Sequence, residues 1–258
     1  MTYQNIQVYK DGAIGLIKIN RPEVRNALNA NTIQEICCAL EKWNQYEDVK
    51  VIVFTGEGEK SFISGADIHQ LKDRTILEGL NGNLSALCKK IEECPKATIS
   101  AINGYALGGG CEIAIACDIR IAAESAKIGF PELNLSIIPG AGGTQRLARL
   151  IGKGRAMDMI LSGEIISAKK AEQIGLVSTV VPSEDLWETV LQKATKIMEK
   201  GPLSVRLAKL VINEGFDANM NTALILEKLA QTVLLSTEDK QEGANAFLEK
   251  RKPVFKGR

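Results

Sequence analysis

Residues 51–54 constrain the fold of this 258-residue chain more than any other segment. They read Val-Ile-Val-Phe, so no polar side chain is available to face water, and three of the four residues are β-branched. A run of this kind suits a strand that is covered on both faces, as strands of parallel sheets are. Residues 97–102 have a similar character. We therefore expect an α/β protein with a parallel or mixed sheet and crossover helices.

Strand and helix signals alternate through about residue 180, with glycine turns at the joints. Apolar residues at helical spacing follow the second strand, after cap candidates from Asn29 to Thr32. Thr32 and Glu35 also have the spacing of a capping box at the start of that helix. The last third of the chain carries helical patterns only. We predict a core over residues 1–182 and a helical region over residues 183–258, which covers the core or mediates assembly.

The charge balance argues against nucleic acid or a membrane surface as the main partner. There are 32 basic and 31 acidic residues, which gives a formal charge of +1. No apolar run approaches the roughly 18 residues that a membrane-spanning helix needs. The first residues have neither the basic nor the apolar part of an export signal. We therefore expect a cytoplasmic protein.

The cysteine and histidine content weakens two large reaction classes. Six cysteines without an export signal are interpreted as free thiols, since disulfides belong to oxidising compartments. The single histidine, His69, leaves little from which to build a zinc site or a histidine-dependent triad. No metal site is expected.

The segment from Asn103 to Asp118 is the most informative about the chemistry that the protein can perform. Three glycines open a predicted helix whose body is apolar on every side, which predicts that the helix is buried together with Glu112. Burial of a carboxylate is costly without a partner, and it raises the pKa of the carboxyl toward neutrality, where proton transfer is useful. The alternatives are that Glu112 reaches solvent or pairs with a basic neighbour.

Two turns rich in small residues offer backbone N–H groups for an anion. The glycines before Glu112 let a substrate approach the backbone, and the start of a helix favours negative charge. An N–H from Ala66, in the turn after the buried strand, would complement one from Gly109 and polarise a carbonyl. The alternatives are tight helix packing for the glycines and an ordinary turn with Asp67 as a helix cap.

A second carboxyl, Glu132, follows Pro131 among apolar neighbours. Proline fixes the backbone at this point, and the apolar surroundings would raise the pKa of this carboxyl also. The alternative is an ordinary glutamate in the first turn of a helix. Two carboxyls in apolar surroundings and an oxyanion site together predict a proton-transfer enzyme.

The motifs taken together resemble those of the crotonase (enoyl-CoA hydratase/isomerase) superfamily, and most of all the short-chain enoyl-CoA hydratases. The resemblance rests on Asn20-Arg21-Pro22, Ser64-Gly65-Ala66-Asp67, residues 103–112, Pro131-Glu132 and residues 139–146, in the order and spacing typical of that family. The similarity continues nearly to the end of the chain.

The resemblance implies a crotonase-like spiral of repeated ββα units and a C-terminal helical trimerisation region, in a homotrimer or in a homohexamer built as a dimer of trimers. It implies a lyase of fatty acid metabolism, as in β-oxidation, that reversibly hydrates a 2-trans-enoyl-CoA to a 3-hydroxyacyl-CoA without a metal or redox cofactor. By motif, Ala66 and Gly109 would form the oxyanion hole. Glu112 would act as base on water, and Glu132 would move the proton at the α-carbon.

The resemblance also implies a set of CoA contacts. His69 departs from the family, many members of which have lysine there. Other reactions of the superfamily stay open, namely those of an enoyl-CoA isomerase, a specialised acyl-CoA dehydratase or a non-catalytic RNA-binding member. Two glutamates favour hydration, and the charge balance counts against RNA. The expected CoA contacts are Arg25, Ala66, Asp67, Ile68, His69 and Gly109, with Phe255 and Lys256 reaching the CoA of a neighbouring subunit.

Overall fold

A computed structural model describes residues 3–258, which contain ten strands and twelve α-helices. The strands are β1 (Ile6–Asp11), β2 (Ile14–Ile19), β3 (Val51–Gly56), β4 (Ser61–Ile63), β5 (Ala97–Ile102), β6 (Tyr105–Leu107), β7 (Ile119–Ala123), β8 (Lys127–Gly129), β9 (Ile165–Ser167) and β10 (Thr179–Val181). The helices are α1 (Ala30–Gln45), α2 (Ile68–Lys72), α3 (Ile76–Asn81), α4 (Asn83–Glu92), α5 (Gly109–Ala116), α6 (Gly143–Ile151), α7 (Lys153–Ser162), α8 (Ala168–Gln173), α9 (Leu186–Met198), α10 (Pro202–Asp217), α11 (Met220–Leu235) and α12 (Glu238–Leu248).

A six-stranded sheet in the order β1-β2-β3-β5-β7-β10 forms the centre of the molecule. Strand β1 is antiparallel to β2, and the other pairs are parallel. Every residue of β3 is buried, as its composition predicts. Ile52 and Phe54 enter the core on one face, whereas Val51 and Val53 enter the core on the other face. A sheet with an apolar core on each face explains why this strand has no polar alternation.

A smaller sheet in the order β4-β6-β8-β9 lies beside the first. Strands β4, β6 and β8 are parallel neighbours, and β9 is antiparallel to β8. From β3 onward the chain visits the two sheets in turn, because β3, β5 and β7 belong to the large sheet and β4, β6 and β8 to the small one. Helical segments follow each pair. The predicted α/β architecture of repeated ββα units is therefore confirmed.

The start of α1 differs from the predicted capping box. Asn29 caps the helix, and its Oδ1 accepts hydrogen bonds from the N–H of Thr32 at 2.7 Å and from the hydroxyl of Thr32 at 2.8 Å. Thr32 is therefore already inside the first turn, and Glu35 accepts hydrogen bonds from the N–H groups of Gln4 and Asn5 instead. The capping-box prediction was wrong because Asn29 competes for the same amide.

The helical region after β10 has two kinds of surface. Helix α9 packs on the large sheet, and its Leu186, Val190 and Ala194 complete the second core. By contrast, α10 and α11 have no buried residue, and large apolar side chains such as Phe216 and Leu229 are exposed on them. The first helix of the region thus covers the core. The division of the chain at residue 182 and the role of the region in assembly stay predictions.

The structure also bears on the expectations of free cysteines and of no membrane-spanning helix. All six cysteines are free, four of them buried: Cys88, Cys94, Cys111 and Cys117. The interpretation as free thiols is confirmed. Within residues 3–258, no helix combines the length and apolar character needed to cross a membrane.

Candidate active site

Three strand ends of the small sheet bring the predicted site residues together. Strands β4, β6 and β8 run in parallel, with Ser61 beside Tyr105 and Leu107 beside Gly129. Because parallel neighbours end at the same edge of a sheet, the turns that follow them meet there. The residues in these turns or in the helix that follows are Ala66 after β4, Gly109 and Glu112 after β6, and Glu132 after β8.

Glu112 is a buried carboxyl with a fixed orientation. All residues of α5 are buried, and Glu112 is only 2% exposed. Its Oε1 accepts hydrogen bonds from the N–H of Ala141 at 2.6 Å and from the N–H of Gly143 at 2.8 Å. Burial raises the pKa of Glu112, while these two amides and the charge of Arg146 act in the opposite direction. The predicted burial is confirmed. Glu112 does not reach solvent, and it forms no ion pair with any of residues 3–258.

Glu132 is a carboxyl poised for proton exchange near neutral pH. It is the second residue of a 3₁₀ helix, Pro131–Leu135, so the alternative that it lies in the first turn of a helix is also correct. Among residues 3–258, nothing hydrogen-bonds to its Oε2, although this oxygen is buried. Burial raises the pKa of Glu132 to about 7, and the charge of Glu112 adds to the increase. This carboxyl can therefore hold or release a proton under physiological conditions.

Gly109 supplies an N–H at the start of α5. The first hydrogen bond of the helix runs from the N–H of Glu112 to the carbonyl of Gly108 at 2.9 Å, so the N–H of Gly109 has no partner inside the helix. Gly108 has a φ of 51°, and a Cβ on it would lie 2.9 Å from Glu132 Oε1. A Cβ on Gly110 would collide with the carbonyl of Ile63. The glycines therefore allow close packing around a helix start whose first N–H has no partner inside the helix.

Ala66 supplies an N–H on the neighbouring turn. It forms an isolated parallel bridge with Leu28, in which Leu28 donates to the carbonyl of Gly65 and Asp67 donates to the carbonyl of Leu28, both at 2.8 Å. Successive peptide groups of an extended chain point in opposite directions, so the N–H of Ala66 points away from Leu28. Ala66 is exposed. The orientation of this amide and the exposure of its residue fit a donor to a ligand.

The turn that carries Ala66 is braced by an ion pair. Asp67 caps α2 by accepting the N–H of His69 at 3.2 Å, so its interpretation as a helix cap is correct. Asp67 also accepts a hydrogen bond from Arg21 at 3.1 Å, and Arg21 donates to the carbonyl of Ala27 at 2.6 Å. Sequence reasoning assigned no role to Arg21. The signal was present, since Arg21 lies in a motif at the end of a strand.

The remaining CoA-binding candidates lie in two places. Arg25, Ile68 and His69 are exposed around the Ala66 turn, and the carbonyl of Arg25 accepts a hydrogen bond from Ser64 at 3.2 Å. Phe255 and Lys256 instead lie against the C-terminal helices of their own chain. Contact of these two residues with CoA on a neighbouring subunit stays a prediction.

Two further groups support the site and escaped sequence reasoning. The amides of Ala141 and Gly143 belong to the glycine-rich turn before α6, in which Gly142 has a φ of 99°. Arg146, in the first turn of α6, donates to the carbonyl of Ala141 and to both carboxylate oxygens of Glu92. A glycine-rich segment before a helix is a known signal for anion binding, and here the anion is the Glu112 side chain.

The fold and the site define an α/β protein of the crotonase type. Residues 9–258 match the family model described as enoyl-CoA hydratase/isomerase, and the chain belongs to that family. The predicted family is therefore confirmed. The crotonase-like fold is also confirmed, because the chain superimposes with a TM-score of 0.95 on the crystal structure of enoyl-CoA hydratase from Bacillus anthracis, at 43% identity and with 99% of this chain and 100% of that chain covered.

Two curated relatives have names that state a reaction. The short-chain-enoyl-CoA hydratase of Clostridium acetobutylicum is 42% identical over 254 residues, which cover 98% of this chain and 97% of that protein. The crotonyl-CoA hydratase of Syntrophomonas wolfei subsp. wolfei is 44% identical over 259 residues, which cover 99% of both proteins.

Proposed function

We propose that the protein is an enoyl-CoA hydratase, which reversibly adds water to a 2-trans-enoyl-CoA and yields a 3-hydroxyacyl-CoA. The observation that carries this proposal is the pair of carboxyls at one edge of the small sheet. Glu112 is held by two amides, whereas Glu132 has a buried oxygen with no hydrogen-bond partner in the described part of the chain, and burial raises its pKa to about 7. The names of the two curated relatives support the same reaction.

The N–H groups of Ala66 and Gly109 would receive the thioester oxygen of the substrate. Addition of water at the β-carbon moves electrons toward this oxygen, which takes on the charge of an enolate. Two fixed backbone donors stabilise that charge, and each such donor contributes roughly 2.7–4 kcal/mol in acyl-transfer enzymes. The exposure of Ala66 and the N–H of Gly109, which has no partner inside α5, support this assignment.

The two glutamates would divide the proton transfers between them. Ionised Glu112 takes a proton from water as the water oxygen bonds to the β-carbon and the π electrons move toward the thioester. Protonated Glu132 then gives its proton to the α-carbon, which completes the addition. The fixed orientation of Glu112 suits a base, and the raised pKa of Glu132 suits an acid at neutral pH. The reverse sequence removes water.

Several further properties belong to the same proposal. Each step is a proton transfer or an addition, so it needs no resident metal or redox cofactor. Exposed apolar side chains on α10 and α11 support a homotrimer or a dimer of trimers. Phe255 and Lys256 would then approach acyl-CoA bound to a neighbouring subunit. Six free thiols support a reducing compartment such as the cytoplasm.

Loss of the enoyl thioester absorbance with crotonyl-CoA tests the proposal directly. We expect Glu112→Gln and Glu132→Gln each to lower kcat by at least roughly 100-fold, because an amide keeps the shape of the side chain and cannot exchange the proton. Glu188→Gln, at an exposed position of α9, is the matched control and should behave as wild type. Wild-type turnover in either site variant, with folding intact, contradicts the assignment. Conversion of a 3-enoyl-CoA without hydration would favour an isomerase instead.

A further inference from the structure

Arg146 connects the turn before α6 to the end of α4. Its Nη1 donates to the carbonyl of Ala141 at 2.9 Å. Its Nε and Nη2 donate to the two oxygens of Glu92 at 3.1 Å and 2.7 Å, which is the bidentate geometry that a guanidinium favours. The Arg146 side chain is only 16% exposed. The guanidinium of this pair is therefore largely shielded from solvent, whereas the side chain of Glu92 is 39% exposed.

The turn that Arg146 contacts also holds Glu112 in place. The N–H groups that hold Glu112 come from Ala141 and Gly143, on either side of Gly142. Gly142 packs so tightly against the guanidinium of Arg146 that an added Cβ would collide with Nη1. Its φ of 99° lies in the region that favours glycine. Arg146 thus contacts two consecutive residues of the turn, and a shift of the turn would move both amides.

Electrostatics act in the same direction as the geometry. The titratable groups that interact with Glu112 include Arg146 on α6, Glu132 after β8, and the thiols of Cys88 on α4 and Cys111 on α5. Arg146 is the cation in this set. Its charge lowers the pKa of Glu112 against the larger effect of burial, so it favours the ionised form that a base requires.

We propose that Arg146 is a positioning residue for hydration, which holds the 141–143 turn so that its two amides orient Glu112, with Glu92 as its anchor. The proposal rests on the hydratase function proposed above. The simpler alternative is that the pair of Arg146 and Glu92 only ties α6 to α4. If the pair only connected the two helices, loss of Arg146 would lower stability alone. If Arg146 positions Glu112, its loss would also lower kcat and change the pKa of that carboxyl.

Arg146→Gln separates these two roles. We expect kcat with crotonyl-CoA to fall by about 10–100-fold and KM to change by less than about twofold, because misplacement of a catalytic group slows the reaction more than it weakens binding. The acid limb of the pH profile should move to higher pH, since Glu112 loses a cation that lowers its pKa. Arg149→Gln is the matched control, because Arg149 lies on the same helix and pairs with Asp217 outside the turn. It should leave kcat and the acid limb unchanged.

Two conservative variants keep the test valid if Arg146→Gln folds poorly. Arg146→Lys retains the charge without the bidentate geometry, so we expect a kcat between wild type and Arg146→Gln and an acid limb near that of wild type. Glu92→Gln leaves Arg146 without its charged anchor and should lower kcat by a smaller factor than Arg146→Gln does. Folded variants with wild-type kcat and an unmoved acid limb would overturn the proposal, even if the unfolding temperature falls.

A readout that does not depend on turnover distinguishes this proposal from the hydratase assignment. The carboxyl of Glu112 can be titrated by carbon NMR in wild type and Arg146→Gln, and we expect its pKa to be higher in the variant. If wild type does not hydrate crotonyl-CoA but the titration moves, only the assigned reaction fails. If wild type is active and the titration does not move, the role of Arg146 fails.

Discussion

Gly143 donates its N–H to Glu112 Oε1 at 2.8 Å, and its α-carbon faces the same oxygen so closely that an added Cβ would lie 2.9 Å from it. The same Cβ would lie 2.8 Å from ring carbon Cε1 of Phe130 and 2.8 Å from Cβ of Pro139. The hydrogen bond and the lack of space have one cause, which is the close approach of the turn to the carboxyl. Glu112 therefore depends on a glycine at this position.

Gly143→Ala should damage both activity and stability. The new methyl group must displace the carboxyl, the ring or the proline, and such overpacking costs about 1–3 kcal/mol of unfolding free energy. We expect kcat for crotonyl-CoA to fall at least roughly tenfold, because a shifted base is misaligned with water. Gly154→Ala is the control, since nothing lies within 4 Å of a Cβ at Gly154 and the residue lies in α7. Equal behaviour of the two variants, measured by denaturation and initial rates, would contradict the steric argument.

The pH dependence of kcat/KM should be bell-shaped and the same in both directions. Hydration needs Glu112 ionised and Glu132 protonated, whereas dehydration needs the opposite, and both states hold one proton on the pair. Because the pKa of Glu132 is raised to about 7, the alkaline limb should begin near pH 7. Initial rates between pH 5 and pH 9 with crotonyl-CoA and with 3-hydroxybutyryl-CoA measure this. A constant kcat/KM up to pH 9 would show that Glu132 does not act as the acid.

Glu132→Gln should stabilise the folded protein at alkaline pH. The pKa of Glu132 rises from its ordinary value of 4.5 to about 7 on folding, so the folded state holds a proton that the unfolded state releases. The wild-type carboxyl therefore lowers the free energy of unfolding increasingly between pH 4.5 and 7, and the full penalty persists above pH 7. Chemical denaturation at pH 4.5 and pH 8 should show little difference between wild type and variant at the lower pH and a more stable variant at the higher pH. The reverse order would argue against a pKa of Glu132 that burial raises in the folded state.

A charge on the exposed apolar stripe of α11 should disrupt assembly. Ile225, Leu229 and Val233 recur every four residues on this helix, and each is more than half exposed in the single chain. Leu229→Asp should lower the mass measured by light scattering after size-exclusion chromatography, because an interface core excludes a charge without a partner. Gln231→Asp adds the same charge to an exposed polar position and should leave the mass unchanged. An unaltered mass in Leu229→Asp would place the interface elsewhere.

The features that could be predicted from the sequence depend on local composition. A strand without polar residues must be covered on both faces, and residues 51–54 are. A helix that is apolar on every side must be buried, and α5 carries Glu112 with it. In both cases the burial follows from the residues themselves, whatever packs against them.

The features that could not be predicted depend on how distant segments meet. The amides that hold Glu112 lie 29 and 31 residues along the chain, and their position depends on how the turn after β8 folds back. Arg146 and Glu92 are 54 residues apart and lie on different helices. Even the cap of α1 depended on which side chain, that of Asn29 or that of Glu35, accepts the N–H of Thr32 in the folded chain. No spacing rule ranks such competitors.

The groups of the proposed machinery follow three neighbouring strands of the small sheet: an amide after β4, an amide and a base after β6, and an acid after β8. The register of these strands is set by pairing within the sheet and does not depend on the composition of the turns. The segments that follow these strands nevertheless depend on one another, because the amides of Ala141 and Gly143 after β8 hold Glu112 after β6. The base after β6 and the acid after β8 therefore form one unit for redesign, and a change in either segment has to keep the contacts between Gly108 and Glu132 and between Glu112 and the 141–143 turn.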